Sequence, residues 1–263
     1  MHAIRIVLRL QLAQLRSALI YRGDFWIGVA GAILTQASAL VFLLSYFSHV
    51  DRLGGWTAWE VLILGGITTS AVGLTELFAD GMWTLRAAVS DGSFDRVLVR
   101  PLAPVLQQIG SLASIHGLGS LGTGILMLTA GLTHTSAPTR WWALPVIVLA
   151  VLCGAVLCGA LALLANLIVF WEPAAQSAVP TIVMSMRDFS RFPLNVYPGG
   201  IRAVLTLILP YALVTYLPTS VVLDKPGAPA WWVVTPIAAA GAGVAVTALV
   251  WRIGIIRYRG AGH

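Results

Sequence analysis

Charged side chains are scarce in this chain of 263 residues, where Asp, Glu, Lys and Arg together make up only 10%. Hydrophobic residues make up 58%, and the mean hydropathy is +0.88. A soluble globular domain typically has about 25% charged and about 45–50% apolar residues, so the composition excludes that class. Long apolar runs with few charges predict an all-α, polytopic membrane protein. The length predicts a single transmembrane domain over residues 1–263.

Lysine is almost absent, since Lys225 is the only one in the chain. A P-loop needs a lysine that reaches the β- and γ-phosphates, within the pattern G-x-x-x-x-G-K-(S/T). Lys225 lies in LDKPG, which does not match that pattern. The chain therefore cannot hydrolyse ATP by this chemistry, and energy for transport must come from a separate subunit or from an ion gradient.

Cysteine occurs only twice, at Cys153 and Cys158. On one helix their side chains would point about 140° apart, so they cannot form a disulfide within it, and their apolar surroundings favour a packing role. The sequence also lacks the H-E-x-x-H and G-x-S-x-G patterns of hydrolases. We therefore predict no catalytic residue, no metal site and no cofactor bound to this chain.

Five apolar segments are long enough to cross a hydrocarbon core of about 30 Å, which takes about 20 helical residues. They cover residues 25–47, 58–79, 105–132, 142–170 and 231–251. Segment 172–226 has two interpretations. Either 174–190 crosses and 200–223 is a broken hairpin around Pro210, or 200–223 is itself the crossing. Both predict six transmembrane helices with both termini on one side.

The N-terminal residues 1–22 carry leucines and arginines on neighbouring helical stripes, which predicts a helix lying in the membrane interface. An ordinary helix packed on a neighbour is the alternative. The net charge is +6, and arginines flank the apolar segments. That distribution fits the positive-inside rule and contact with membrane lipids, not with nucleic acid. It predicts a multi-pass protein of the plasma (inner) membrane with cytoplasmic N- and C-termini.

Charge is concentrated in one connection, VSDGSFDRVLVRPLAP (89–104), which follows the second span. Its charged residues surround Phe94, and Pro101 ends the predicted helix. A short charged helix with one aromatic residue suits docking to a protein partner, with Phe94 as the anchor and the charges fixing the register. A solvated loop that only maintains topology is the alternative, and composition does not separate the two.

The stretch GSFDRVLVRPLAP resembles a signature of the permease subunits of ABC-2 type ABC transporters. FPLNVYPGGIRAVLTLILPYALVTYLPTS (192–220) resembles a second signature, found in a six-span branch whose permeases have about this chain's length. The resemblance implies a coupling helix over residues 89–100 that docks on an ATP-binding subunit, through Asp91, Gly92, Phe94, Asp95, Arg96 and Arg100. It also implies an outer re-entrant hairpin over residues 193–222, which contains Pro193, Tyr197, Pro198, Pro210, Tyr216 and Pro218.

The resemblance makes 174–190 the fifth span, although counting arginines favours 200–223. It would place Arg187, Asp188 and Arg191 near the outer surface. It further implies an exporter built from this chain, a second permease that is identical or a sister paralogue, and two copies of an ATP-binding subunit. ATP and Mg²⁺ would bind in that partner subunit. The transported substrate is left open.

Glu76 and Asp80 lie four residues apart and therefore share a helix face at the end of span two. Such acids could form a proton or cation relay, but an interfacial ion pair with the nearby Arg86 is the simpler interpretation. The alternative function is an ion-gradient-driven secondary transporter or an intramembrane enzyme that uses these acids or His116. Small residues at 117–124, 153–160 and 238–245 predict close helix contacts, within the bundle or with a second permease.

Overall fold

The computed structural model describes residues 11, 22–135, 140–172 and 178–258. In this part of the chain the α-helices are α1 (Arg22–Phe47), α2 (Ala58–Ala79), α3 (Leu85–Ser90), α4 (Phe94–Leu98), α5 (Pro104–Ile109), α6 (His116–Thr133), α7 (Ala143–Asn166), α8 (Ala178–Asp188), α9 (Gly199–Ala203), α10 (Tyr211–Val214), α11 (Tyr216–Val222) and α12 (Thr235–Arg257). Tighter 3₁₀ turns extend several of them, at Asp80–Thr84, Leu167–Phe170, Phe189–Arg191, Leu194–Val196 and Ala230–Val234. The predicted interfacial helix 1–22 lies outside the described residues, apart from Gln11 and Arg22.

Three helical stretches are long and apolar enough to cross a membrane: Ala58–Ser90, Ala143–Phe170 and Ala230–Arg257. A fourth candidate is the pair Gly199–Ile208 and Tyr211–Val222, whose two parts are bent by 72°. These lengths and compositions confirm the prediction of an all-α membrane protein for the residues that the structure describes.

Helix α2 is the innermost helix of the bundle. It begins in a capping box, in which the Thr57 amide donates to Glu60 Oε2 at 2.8 Å and the Thr57 hydroxyl accepts from the Glu60 amide at 3.4 Å. From Val61 to Gly73 every residue is buried. Small side chains such as Gly65, Gly66, Ser70 and Gly73 make this possible, because they let neighbouring helices approach on several sides.

Glycines form the seam between α2 and α6. A Cβ added to Gly73 would lie 2.8 Å from the Gly117 carbonyl oxygen, and one added to Gly124 would lie 2.5 Å from the Ser70 amide nitrogen. Gly66 and Gly131 make similarly close contacts farther along. The prediction of close packing at 117–124 is therefore confirmed, and the contact is internal to the bundle.

The predicted third span, 105–132, is interrupted. Helix α5 ends at Ile109, and α6 does not begin until His116. The residues between them bond to the unwound end of α2, because the Gly81 amide donates to the Leu112 carbonyl at 3.2 Å and the Ser114 amide to the Glu76 carbonyl at 3.0 Å. Backbone groups that a continuous helix would satisfy are thus satisfied across the bundle.

The bundle has two ends, each defined by an aromatic cluster. At the first, which we call the Phe94 end, Phe94 contacts rings from the segments that follow α7 and end α12. At the second, the Trp56 end, Trp56 lies 5.4 Å from the Tyr216 ring, between ring centroids. The Asn195 amide also donates to the Gly54 carbonyl there at 2.6 Å.

The bent pair of helices contacts the Trp56 end with both of its arms. On the first arm, Arg202 Nη2 donates to the Asn195 carbonyl at 2.6 Å. Beyond the second arm, Asp224 pairs with Arg140 at 2.9 Å. Between the arms, Pro210 precedes Tyr211, whose buried ring packs among residues from the middle of α7 that include Leu157.

Segment Ala178–Val196 runs along the bundle between the two ends. Met184 packs on the cluster that contains Met82 near the Phe94 end, and the Ser190 hydroxyl lies 3.2 Å from that of Thr68 in the middle of α2. Arg187 borders a cavity together with Cys158 of α7. The expectation that Arg187 and its charged neighbours lie near the outer surface is therefore wrong, because this part of the segment packs at mid-bundle.

Lys225 and Glu60 join the second arm of the bent pair to the start of α2. Their charged atoms are 2.7 Å apart, and both side chains are less than one-fifth exposed. Lys225 also lies 4.9 Å from the centroid of Trp56. The ion pair is therefore shielded from water on several sides.

Replacing Lys225 with methionine is expected to reduce the free energy of unfolding by about 1–3 kcal/mol, between the ranges for exposed and for fully buried ion pairs. Unfolding in mixed micelles would measure the change. The matched control is Asp224→Asn, which removes the 78% exposed partner of Arg140 and should cost less than about 1 kcal/mol. If the two substitutions reduced the free energy of unfolding equally, the shielded Lys225–Glu60 pair would contribute no more than the exposed one.

Candidate coupling site

The charged segment, Asp91–Arg100, is a turn followed by the single helical turn of α4. The Asp91 carboxylate accepts a hydrogen bond from the Ser93 amide at 2.8 Å, and Gly92 has a φ of 73°, in the left-handed region that glycine adopts without strain. Hydrogen bonds from the Ser93 hydroxyl and amide lower the pKa of Asp91. This turn separates α3 from α4 and holds both short helices beside the end of α2.

Phe94 is fully buried, with 0% of its surface exposed. Its ring centroid lies 5.7 Å from that of Phe170, 6.2 Å from Trp251 and 5.1 Å from Tyr258. The expectation that Phe94 projects as an anchor for a partner is therefore wrong, because the ring is enclosed by aromatic residues of its own chain. Phe94 instead fixes the charged segment to the ends of α7 and α12.

The surface of the charged segment presents the other predicted residues. Asp91, Asp95, Arg96 and Arg100 are exposed, whereas Gly92 is half-buried. Two apolar side chains are exposed beside them: Leu98 is 37% exposed and Val99 83%. A groove of about 470 Å³ runs along this surface, and Asp91, Arg100 and Ser111 are among the residues that border it. A protein partner would thus meet charges of both signs, two aliphatic side chains and a groove.

The residues predicted for the hairpin lie together along one connected stretch of chain. Pro193 is buried, and Tyr197 donates through its hydroxyl to the Phe189 carbonyl at 3.0 Å. Burial raises the pKa of Tyr197 to about 12. Pro198 precedes α9, Pro210 lies at the bend, Tyr216 packs on Trp56, and Pro218 is buried in α11. Prolines thus lie at the start of the bent pair, at its bend and in the first turn of its last helix, where the missing amide of proline removes no bond within a helix.

A protein-family model described as "ABC-2 family transporter protein" matches residues 33–262. The chain belongs to the ABC-2 transporter family. It is therefore a membrane permease component of an ABC transporter and a multi-pass membrane protein, and family membership implies association with an ATP-binding subunit. No curated protein and no solved structure matches the chain.

Two glutamines that sequence reasoning missed support the charged segment of this permease. Gln107 Nε2 donates to the Val97 and Leu102 carbonyls at 3.0 and 2.7 Å. Gln108, only 2% exposed, donates to the Gly81 carbonyl and to the Thr84 hydroxyl, both at 2.8 Å. Their signal in the sequence is an adjacent amide pair inside an apolar run, where unpaired polar groups would be costly.

Tyr258 was also missed. It closes the aromatic enclosure of Phe94 at the end of α12, and burial together with the neighbouring Asp95 raises its pKa. No local pattern marks it, since it lies in the basic sequence WRIGIIRYRG near the end of the chain.

Glu76 and Asp80 of the permease do share one side of the bundle, and both border the same cavity. Glu76 Oε2 accepts a hydrogen bond from the Ser120 hydroxyl at 2.9 Å. Arg86 is exposed, and in the described part of the chain it forms no ion pair with either acid. The interpretation as an ion pair with Arg86 is therefore wrong for this conformation.

Proposed function

We propose that this permease is the transmembrane subunit of an ATP-driven exporter and that its charged segment receives the force of the ATP-binding subunits. One observation carries the proposal. The charged side chains Asp95 and Arg96 point to solvent, while Phe94 beside them is enclosed by rings from the ends of α7 and α12. A surface suited to a partner is thus attached directly to the interior of the membrane bundle.

The mechanism follows from these attachments. When ATP closes the partner subunits, the position of the charged segment changes. Because Phe94 contacts Phe170 and Trp251, α7 and α12 follow that change, and α3 transmits it to α2. A partner that binds one position of the segment more tightly thereby favours one conformation of the pathway.

The proposed topology has six spans, formed by α1, α2, α6, α7, the segment Ala178–Val196 that begins with α8, and α12. The bent pair Gly199–Val222 is then a re-entrant hairpin on the outer side. Contacts of both arms with the Trp56 end support this arrangement, as does the packing of Tyr211 at mid-bundle. The Phe94 end is cytoplasmic in this topology, in agreement with its arginines.

The proposed assembly contains two copies of an ATP-binding subunit, which hold ATP and Mg²⁺, and a second permease that is either identical or a sister chain. Membership of the ABC-2 family supports the ATP-binding partner. Two permeases would enclose the pathway between them, and surrounding lipids would cover the remaining apolar faces. Native mass spectrometry of the complex would count both kinds of subunit.

Reversing the two charges, Asp95→Arg with Arg96→Asp, is expected to reduce co-purification with the ATP-binding subunit and to uncouple ATP hydrolysis from transport. Wrong-sign contacts at a docked interface cost several kcal/mol, so binding should weaken at least about 100-fold. Pull-down and substrate-stimulated ATPase activity of the reconstituted complex would measure both effects.

The chain offers a matched control at its other end. Asp51 and Arg52 are also an adjacent, exposed acid–base pair, but they lie near the Trp56 end. Reversing them should leave co-purification and coupling unchanged. Equal effects at both pairs would contradict docking at the charged segment. Gradient-driven transport by the chain alone would instead support the secondary-transporter alternative.

A further inference from the structure

A cavity of about 200 Å³ lies between α2, its 3₁₀ extension, α7 and α8, in the half of the bundle nearer the Phe94 end. Glu76, Asp80, Trp83 and Arg187 border it, together with apolar side chains such as Met82. Pockets for whole drug-sized ligands are typically about 300–1,000 Å³. This one can hold a small polar group whose apolar remainder lies outside it.

Opposite charges border this cavity without neutralising each other. Glu76 is held by the Ser120 hydroxyl, and in the described residues no ion pair joins Arg187 to Glu76 or Asp80. Arg187 is only 17% exposed; it forms a long ion pair with Asp188, at 3.9 Å, and its Nη1 donates to Met184 Sδ at 3.5 Å. The Arg187 Nε atom is fully buried and has no hydrogen-bond partner.

Trp83 adds a third kind of contact to the acidic side of the cavity. It follows Asp80 by three residues, borders the cavity and is 40% exposed. An indole ring beside two carboxylates is an arrangement that favours an ammonium group, since the ring face attracts cations as well. A guanidinium on the other side favours a phosphate.

We propose that this cavity binds the ammonium–phosphate head group of a zwitterionic membrane amphiphile. Glu76, Asp80 and Trp83 take the ammonium group, and Arg187 takes the phosphate. Such a head group compensates both sets of half-buried charges at once, which neither an anion nor a cation alone can do. The acyl chain remains in the surrounding lipid. The inference goes beyond the exporter proposal and does not depend on ATP coupling.

Equilibrium binding of radiolabelled lysophosphatidylethanolamine to the purified full-length chain, in neutral maltoside micelles without ATP, tests the proposal. Two probes of the same chain length lack one charge each: lysophosphatidylglycerol has no ammonium group, and an alkylamine has no phosphate. The zwitterion should bind at least about tenfold more tightly than either, because one charge-assisted hydrogen bond contributes about that factor or more. Equal binding of all three overturns the proposal.

Substitutions should remove these preferences separately. Arg187→Gln should abolish the preference for the zwitterion over the alkylamine, whereas Glu76→Gln and Trp83→Leu should reduce the preference over lysophosphatidylglycerol. The control is Arg252→Gln, at an exposed arginine that borders a different groove, on α12, and both preferences should persist in it. If Arg187→Gln does not fold, Arg187→Met, which also removes the charge, and the two acidic-side variants still give the pattern.

Competition by free phosphoethanolamine distinguishes a lipid from a soluble ligand. If phosphoethanolamine binds with the same affinity as the lysolipid, the cavity recognises the ammonium–phosphate group but its ligand is soluble. If phosphoethanolamine competes at least about tenfold more weakly, the membrane amphiphile is the ligand, since its buried acyl methylenes add affinity. If the Arg187 and Trp83 variants both lose binding of all three probes to the same extent, the assignment of the ammonium and the phosphate to opposite sides of the cavity is contradicted.

Discussion

Replacing Phe94 with alanine should uncouple ATP hydrolysis from transport in the reconstituted complex while the transmembrane bundle remains folded. The ring is fully buried against Phe170, Trp251 and Tyr258. Removing a buried phenylalanine side chain costs about 3–5 kcal/mol. That loss falls on the contact between the charged segment and the ends of α7 and α12, so the segment can move without moving either helix.

Limited trypsin digestion gives this prediction a second measurement. Arg96 lies in the charged segment, and cleavage after it should accelerate at least about tenfold in the alanine variant, because local opening controls cleavage of an ordered segment. The control is Val99→Ala, at a residue of the same segment that is 83% exposed. It should leave the cleavage rate unchanged. If Phe94→Ala keeps the wild-type coupling and cleavage rate, the aromatic contacts of Phe94 do not transmit movement of the charged segment to α7 and α12.

Replacing Gly124 with alanine should destabilise the bundle by about 3 kcal/mol, at the upper end of the cost of overpacking a core. The added Cβ would lie 2.5 Å from the Ser70 amide nitrogen and 2.9 Å from its Cα. Both contacts are to backbone, which cannot move aside as a flexible side chain can. Helices α2 and α6 would have to separate along the whole seam.

Gly122 is the control on the same helix, since a Cβ added there meets nothing within 4 Å. Gly122→Ala should be neutral or stabilise the helix by up to about 1 kcal/mol. Unfolding of the two variants in mixed micelles should therefore separate them by roughly 2–4 kcal/mol. Similar stabilities would mean that the seam tolerates expansion.

Much of the architecture could be predicted from local sequence signals. Apolar runs predicted the helices at 58–79, 142–170 and 231–251, and prolines predicted the bend at Pro210. Runs of small residues predicted close helix contacts. Each of these signals is local in the sequence. An apolar run gives the length of a helix, proline lacks the amide that a helix needs, and glycine lacks the side chain that would keep helices apart.

The errors concern contacts between residues distant in the chain. Phe94 was expected to be exposed because its sequence neighbours are charged, but the rings that enclose it lie at least 76 residues away. Arg187 was expected near the outer surface because the resemblance makes 174–190 the fifth span, which would end close to this residue. The structure instead puts it beside Cys158 and a polar cavity.

The interruption of the third predicted span has a similar cause. Residues 105–132 contain enough hydrophobic residues for a crossing helix. Their composition does not show that the backbone of Leu112 and Ser114 forms hydrogen bonds with the backbone of Gly81 and Glu76. The adjacent Gln107 and Gln108, followed by the helix-capping Gly110, were local indications that the backbone changes course there.

The pairing of Lys225 with Glu60 has a practical consequence for mapping the complex. The single lysine of the chain is engaged at the end of the molecule opposite the charged segment. Lysine-directed crosslinkers will therefore not react at the proposed docking surface. Reagents that activate carboxylates can react with the exposed Asp91 and Asp95 on this surface. A dihydrazide spacer would then join these two residues to acidic residues of the ATP-binding subunit.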